Sequence, residues 1–192
     1  MKVEYFLGGY DKNLSYLLWC NKTKHAALID PAVEISPIIE YISTHDLILN
    51  KILITHSHFD HIKYLYDIIN HFNNVKIYIH HESKVDIDFI SLSHNQIINV
   101  GTDIINVLLT PGHYYDSVCF WNQEDRLVFT GDTMFIGRTG RVINPKSNIE
   151  DLYDSIYNIL LKLPHNTQIL PGHHYGYKMF DTISNNIDSS SF

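Results

Sequence analysis

The chain has 192 residues, of which 45% are hydrophobic and 18% are charged. This composition is typical of a globular domain and excludes a long disordered or coiled-coil region. Lys and Arg number 14 against 21 Asp and Glu, a formal net charge of −7, so the chain lacks the basic surface that nucleic-acid binding requires. The thirteen His residues are unusual, and His is the commonest metal ligand near neutral pH. Their spacing therefore decides whether the chain binds metal.

The two cysteines give the first indication of compartment. Cys20 and Cys119 are far apart and form no CxxC pattern, so we expect free thiols in a reducing environment. The N-terminal run MKVEYFLGGYDKN lacks the apolar core of a signal peptide, and no apolar run is long enough to span a membrane. We expect a cytoplasmic protein without a membrane partner, and the sequence leaves its oligomeric state open.

The first half of the chain predicts strands followed by alternating helices and strands. Strands are predicted in VEYFL, LSYLLWCN and KHAALIDP, which are separated by the turn-forming runs GGYDKN and NKTK. SPIIEYISTHDL predicts a helix with Ser36 as its N-cap and Pro37 at its first position. KILITH then predicts a buried strand, HIKYLYDIINHF a helix and VKIYIHH another strand.

The second half returns to strands and then predicts a long helix. QIINV, DIINVLLTPGH, SVCFWN, RLVFTGD and TQILPGH are predicted strands with their following turns. A helix is predicted over residues 147–163, where Ser147 and Glu150 form a capping box. The final run NNIDSSSF is expected to fray. These elements predict one α/β domain over residues 1–192, with two sheets packed face to face and helices outside.

The run ITHSHFDH, directly after the strand KILI, concentrates metal-ligating side chains. His56 and His58 are two apart on an extended segment, so their side chains point the same way and can share one metal ion. Asp60 and His61 follow at the turn into the next helix. A turn or a helix cap would also explain His, Ser and Asp at this point, but three His and one Asp at this spacing favour a metal site.

Three other predicted strands end in further ligands. TPGH ends at His113, FTGD ends at Asp132 and LPGH ends at His173. Each motif alone is weak, because PGH is more often a simple turn. Together they complete a ligand set, since neutral imidazole binds Zn²⁺ or Fe²⁺ and a carboxylate between two cations can bridge them.

These motifs resemble those of the metallo-β-lactamase superfamily, and within it the glyoxalase II-like branch, over roughly residues 3–180. The resemblance implies a four-layer αββα sandwich without the C-terminal helical domain of full-length glyoxalase II. It implies two divalent metal ions, with Zn expected and Fe or Mn as alternatives. The implied ligands are His56, His58 and His113 for the first ion, Asp60, His61 and His173 for the second, and Asp132 as the bridge.

The glyoxalase II resemblance implies hydrolysis of a thioester such as S-D-lactoylglutathione by a metal-bound hydroxide, with Asp60 and Asp132 as catalytic residues. GDTMFIGRTGR resembles the GDTLF…GCGK or GCGR run, which places Arg141 against the glutathione carboxylate. GHHY resembles GHEY, which places Tyr175 beside the tripeptide. Ile143 stands where glyoxalase II usually has an aromatic contact, and this departure leaves the substrate open.

Other activities share this fold. A persulfide dioxygenase would hold a single Fe(II) with His56, His113 and Asp132. The PAHDY and GRTD runs of that group read PGHHY and GRTG here, which favours hydrolysis. A lactonase or phosphodiesterase would use the same hydroxide, whereas a non-catalytic binding protein would have lost ligands.

Two further features stand close to the proposed ligands. Asp30, in LIDP, is expected either to hydrogen-bond a ligating imidazole or to stabilise the turn before Pro31. His80 and His81 are adjacent on a predicted strand, so their side chains are expected to face opposite ways and not to share a metal ion.

Overall fold

Two six-stranded β-sheets form the centre of the fold within residues 1–189, which this computed structural model describes. The first sheet contains β1 (Lys2–Gly8), β2 (Asn13–Trp19), β3 (His25–Ile29), β4 (Ile48–Leu53), β5 (Lys76–His80) and β6 (Ile90–Leu92). The second contains β7 (Ile97–Val100), β8 (Asp103–Leu109), β9 (Val118–Asn122) and β10 (Leu127–Gly131) and, after the short hairpin of β11 (Met134–Phe135) and β12 (Arg138–Thr139), β13 (Gln168–Pro171) and β14 (Asp181–Thr182).

The first sheet begins as the predicted meander and then becomes parallel. β1, β2 and β3 pair antiparallel, whereas β3, β4, β5 and β6 pair parallel. Helix α1 (Ile35–Thr44) connects β3 to β4, and α2 (Leu65–His71) connects β4 to β5. Consecutive parallel strands need such crossover connections, because one strand ends at the edge of the sheet opposite to the edge where the next strand begins.

Both helix starts in this half differ from the prediction. Glu34 is the N-cap of α1 and makes no capping hydrogen bond through its side chain, so Ser36 is not the cap. The second helix begins at Leu65 rather than at His61, because residues 59–64 fold as turns that carry part of the ligand cluster.

The second sheet has the order β14-β13-β10-β9-β8-β7. β10 and β13 are parallel, and both β8 and β10 are antiparallel to β9. Strands β8, β10 and β13 therefore run the same way, and their C-terminal ends meet at one edge of the sheet.

Three apolar layers show that the four-layer αββα prediction is correct. The layer between the sheets includes Tyr16, Leu53, Val107, Phe120 and Phe129. A second layer joins the outer face of the first sheet to α1 and α2, with Ile38, Ile42, Leu65 and Ile68 among its members. The third joins the outer face of the second sheet to the later helices, with Leu152, Ile156, Leu160, Ile169 and Ile183.

The helix predicted over residues 147–163 is present but irregular. It starts as α3 (Ile149–Asp154), continues as a π-helical turn over Ser155–Ile159 and ends in a 3₁₀ turn over Leu160–Lys162. Its N-cap is Asn148, whose side chain accepts hydrogen bonds from the next residues. The predicted cap, Ser147, instead donates to the backbone oxygen of His113 at 2.6 Å.

The prediction of a frayed C-terminus is wrong for its first part. Residues 183–189 form helix α4 (Ile183–Ser189), in which Ile183 and Asn186 are buried. The remaining residues of the NNIDSSSF run, 190–192, lie outside the described residues. None of the helices described has the length and apolar composition needed to cross a membrane.

Candidate metal centre

The seven predicted ligands lie together at one edge of the sandwich. His56 follows β4 of the first sheet, whereas His113, Asp132 and His173 follow β8, β10 and β13 of the second. These strands end at the same edge, so the topology brings together side chains that are far apart in sequence. The remaining ligands, His58, Asp60 and His61, lie on the turn after β4.

The first group consists of His56, His58 and His113. The Nδ1 atom of His58 lies 2.9 Å from Nε2 of His56 and 3.1 Å from Nε2 of His113. Zn–N bonds are about 2.0–2.1 Å long, so nitrogens bound tetrahedrally to one zinc ion lie roughly 3.3 Å apart. These nitrogens are spaced as ligands of one metal ion would be.

The second group consists of Asp60, His61 and His173. The Nε2 atoms of the two imidazoles are 3.1 Å apart. Oδ2 of Asp60 lies 3.3 Å from Nε2 of His173 and 3.8 Å from Nε2 of His61. These three atoms also suit one metal ion.

Asp132 lies between the two groups. Its Oδ1 is 3.2 Å from Nε2 of His61, and its Oδ2 is 3.5 Å from Nε2 of His113 and 3.4 Å from Nε2 of His173. Oδ1 is buried and makes no hydrogen bond among the described residues, since its 3.2 Å contact with Nε2 of His61 lacks hydrogen-bond geometry. A buried carboxylate oxygen without a donor is costly unless a cation compensates it, so this atom fits a bridging metal ligand.

Backbone carbonyls fix the orientation of two of the imidazoles. Nδ1 of His113 donates to the backbone oxygen of Arg141 at 2.9 Å, and Nδ1 of His173 donates to that of Asp11 at 2.9 Å. A carbonyl only accepts, so each Nδ1 carries a proton and Nε2 is the atom that each ring turns toward the cluster.

Asp30 and Thr55 fix the orientation of two further imidazoles. Nδ1 of His61 donates to Oδ2 of Asp30 at 2.8 Å, which is the predicted contact with a ligating imidazole. The Thr55 hydroxyl donates to the same oxygen at 2.6 Å and therefore accepts from Nδ1 of His56 at 3.1 Å. Nε2 of each of the four rings thus faces the cluster. Once these atoms are deprotonated, their lone pairs, about 3 Å from another imidazole nitrogen, repel unless a cation lies between them. The donor set fits divalent metal ions.

The pKa shifts show how strongly this cluster attracts positive charge. Burial alone would lower the pKa of His61, but the carboxylates of Asp132 and Asp30 raise it well above its ordinary value. The pKa of His173 is raised to about 9, because hydrogen bonds with Asp132 and Asp60 outweigh its burial. Burial of Asp132 opposes its ionisation, yet the neighbouring His61 holds its pKa well below the usual range.

The imidazoles of the first group have lowered rather than raised pKa values. Burial lowers the pKa values of His56, His58 and His113, and the neighbouring imidazoles lower them further. These rings are therefore neutral near pH 7, which is the form that binds metal.

Each of the two PGH motifs requires a glycine, for a different structural reason. Gly172 lies so close to the cluster that a Cβ atom there would stand 2.5 Å from Oδ1 of Asp132. Gly112 has a φ of 134°, and a Cβ atom there would meet the backbone nitrogen of Leu152 at 2.2 Å. Only glycine allows the backbone to deliver His113 and His173 along these paths.

The predicted substrate residues line a cleft of about 670 Å³ that opens beside the ligand cluster. Arg141 is exposed on its wall. The ring of Tyr175 stacks on that of His173, with centroids 4.7 Å apart, and its hydroxyl donates to Oδ2 of Asp11. Ile143 also lines the cleft and is 81% exposed, so it provides the apolar surface at the mouth.

Thr55 and three further residues near the site, Asn13, Asp11 and Arg138, were not singled out from the sequence. Asn13 donates from Nδ2 to Oδ2 of Asp60 at 2.9 Å, and Asp11 holds both His173 and Tyr175. Both lie in a run that predicts only a turn. Arg138 lines the cleft, and its position within GDTMFIGRTGR was the one signal that could have identified it.

The prediction that the side chains of His80 and His81 face opposite ways is wrong. His80 ends β5 and His81 begins the following turn, so their rings lie 4.3 Å apart rather than on opposite faces. With Glu82 they place ligand atoms within 4.8 Å of one another, but His81 and Glu82 are exposed.

Comparisons with known proteins give a family match and similar relatives. The model of the metallo-β-lactamase superfamily matches residues 8–173. The chain is 35% identical over 172 residues to a hydroxyacylglutathione hydrolase of Francisella tularensis subsp. novicida, covering 90% of this chain and 67% of that protein.

Two solved structures are similar over nearly the whole chain. ETHE1 from Myxococcus xanthus is 27% identical with a TM-score of 0.90, over 98% of this chain and 83% of that one. TTHA1623, solved in a di-iron-bound form, is 25% identical with a TM-score of 0.85, over 98% of this chain and 99% of that one.

Proposed function

Because this chain belongs to the metallo-β-lactamase superfamily, we propose that it is a metal-dependent hydrolase that cleaves a thioester such as S-D-lactoylglutathione. The position of Asp132 between two groups of inward-facing imidazole nitrogens carries the proposal. Similarity to a hydroxyacylglutathione hydrolase supports the choice of a thioester.

The proposed ligand assignment follows the two groups of side chains. The first metal ion would be held by His56, His58 and His113 and the second by Asp60, His61 and His173, with Asp132 as a ligand available to both. When bound, divalent ions provide Lewis acidity and lower the pKa of a coordinated water to about 7. Zn is the expected metal, with Fe or Mn as alternatives.

Asp60 and Asp132 are the proposed catalytic carboxylates. Oδ2 of Asp60 is held by the Asn13 amide at 2.9 Å. Burial opposes the ionisation of Asp60, but its hydrogen bond with His173 lowers its pKa below the usual range. An ionised carboxylate held in this way can orient a nucleophilic water by accepting a hydrogen bond from it. Asp132 fixes the spacing of the two imidazole groups.

Arg141 and Tyr175 are the proposed substrate contacts. The Arg141 guanidinium is exposed on the cleft wall, where it can bind a carboxylate of glutathione, while its backbone oxygen orients His113. Stacking on His173 holds the Tyr175 ring as a flat wall beside the cluster. These two residues define the side of the cleft that receives the thiol leaving group.

A second candidate is a persulfide dioxygenase that uses one Fe(II). His56, His113 and Asp132 provide two imidazoles and one carboxylate, which is the ligand type of non-haem iron oxygenases, and His113 and Asp132 line the open cleft. The PGHHY and GRTG runs, which differ from the PAHDY and GRTD runs of that group, favour the hydrolase.

The deciding experiment reconstitutes the purified chain separately with Zn²⁺ and with Fe²⁺. Each form is tested for hydrolysis of S-D-lactoylglutathione and for oxygen consumption with glutathione persulfide. The proposal expects metal-dependent thioester hydrolysis and no oxygen consumption. Oxygen consumption by a protein with one iron per chain, without hydrolysis by either form, would overturn it.

A further inference from the structure

The cleft beside the candidate metal centre contains two of the three arginines of the chain. Arg138 and Arg141 line it, whereas Arg126 lines a separate surface depression. Arg126 directly precedes β10 and Asp132 directly follows it, so this third arginine lies at the opposite end of the strand from the cluster. A chain with a net charge of −7 thus places two of its three guanidinium groups beside one cleft.

The guanidinium of Arg138 has no carboxylate partner within the described chain. No ion pair among residues 1–189 includes Arg138 or Arg141. The two carboxylates in the cleft, Asp60 and Asp132, are surrounded by imidazoles. Arg138 is exposed, and its planar group of five N–H donors matches a carboxylate or a phosphate.

The backbone that carries Arg138 is held in place by the C-terminal helix. Arg138 pairs with Phe135 in the β11–β12 hairpin, and Gly137 at the turn has a φ of 78°. The buried side chain of Asn186 accepts from the Gly137 amide at 2.7 Å and donates to the Phe135 oxygen at 3.1 Å. A hairpin fixed at both points presents Arg138 to the cleft at a lower entropic cost than a free loop would.

We propose that Arg138 is a specificity-determining residue that, together with Arg141, binds the anionic arm of the thiol leaving group. This inference rests on the proposed thioester hydrolysis. Carboxylates of glutathione and phosphates of a pantetheine-type thiol share the required chemistry. Arg138 selects anionic thiols over neutral ones and takes no part in bond cleavage.

The test measures binding of two thioethers that cannot be hydrolysed, S-hexylglutathione and S-hexyl-coenzyme A, by calorimetry on the metal-loaded protein. Arg138→Gln is expected to weaken binding of whichever of these two thioethers the wild type binds about tenfold, since charge-assisted hydrogen bonds are lost. Arg138→Lys should keep part of the affinity. The matched control, Arg126→Gln, should bind as the wild type does. The dimethyl ester of S-hexylglutathione, whose carboxylates are blocked, should not distinguish Arg138→Gln from the wild type.

A kinetic measurement separates this inference from the proposed function. With S-D-lactoylglutathione, Arg138→Gln should raise KM about tenfold and leave kcat within about twofold. Equal affinities of Arg138→Gln and Arg126→Gln, or no wild-type affinity for either thioether, would overturn the inference. Binding that Arg138→Gln weakens and Arg126→Gln does not, without hydrolysis by the wild type, would instead contradict the proposed function and leave the anion-binding role of Arg138 supported.

Discussion

Oδ2 of Asp30 accepts a hydrogen bond from Nδ1 of His61 at 2.8 Å, and both side chains are buried. The same carboxylate accepts from the amide and the hydroxyl of Thr55. Asp30 thereby orients His61 directly and His56 through the Thr55 hydroxyl. One residue outside the ligand set thus positions a ring in each of the two proposed metal sites.

Asp30→Asn should weaken metal binding about 10–100-fold, the range typical of lost partners of ligating His residues. An asparagine has only one acceptor oxygen, and its amide would face N–H or O–H donors. The measurement is competition with a chelator of known affinity. Asp46→Asn is the matched control, because Asp46 has a similar φ of 53° against 48° for Asp30 and lies on the surface. Equal affinities of the two variants would show that the hydrogen bond does not support the site.

Asp132→Ala should abolish thioester hydrolysis and release at least one metal ion, because it removes the carboxylate that lies between both groups of imidazoles. Activity and metal content are measured on the same preparation. Asp88→Ala, at an exposed position, controls for the loss of one negative charge. Full activity of Asp132→Ala would refute the bridging role.

Metal affinity should rise with pH up to about pH 9. His173 has a raised pKa of about 9, so at pH 7 it holds a proton that a metal ion must displace. Each displaced proton makes the apparent affinity rise about tenfold per pH unit below that pKa. Calorimetry in buffers of different ionisation enthalpy counts the protons released. An affinity that is constant from pH 6 to 8 would show that His173 is not a ligand.

The raised pKa also predicts a pH dependence of folding for the metal-free chain. Folded His173 holds its proton more tightly than the unfolded chain does, so this contribution to stability is complete below about pH 6.5 and is lost as pH rises through about 9. Urea unfolding of metal-stripped protein should show this decline. His173→Gln should reduce the decline, and an unchanged slope would contradict the assignment.

Asn186→Ala should loosen the β11–β12 hairpin and raise KM with little change in kcat, since its side chain holds the Gly137 amide and the Phe135 oxygen. Loss of two buried hydrogen bonds should also lower the free energy of unfolding by about 1–3 kcal/mol. Asn185→Ala is the control, because the Asn185 side chain is exposed and bonds to Asp181 instead. Equal KM values for the two variants would exclude the anchoring role.

Much of the fold follows from local patterns in the sequence. Apolar periodicity and turn residues predict most long strands, because those signals are local. The cap of α3 could not be read from the sequence, because Ser147 and Asn148 are both good N-caps and only the tertiary contact of Ser147 with His113 decides between them. Formation of α4 depends on burial of Ile183 in the apolar layer on the second sheet and of Asn186 against the β11–β12 hairpin, which a polar C-terminal run does not indicate.

The candidate site was predictable to the extent that its residues are recognisable ligands. The residue type and spacing of His and Asp at strand ends are sufficient to predict a metal site. The residues that orient them do not, because Asp11 contributes a backbone oxygen to His173 and Arg141 contributes one to His113. Any residue type can supply a backbone carbonyl, so no sequence pattern marks that role.

Metal content of the purified chain tests the central claim most directly. Wild type reconstituted with Zn²⁺ is compared by elemental analysis with His113→Ala, from the first group, with His173→Ala, from the second, and with the exposed control His165→Ala. We predict two metal ions per chain for wild type and His165→Ala, and one or fewer for each of the other two. Wild-type metal content in both His113→Ala and His173→Ala would contradict the proposed pair of metal sites.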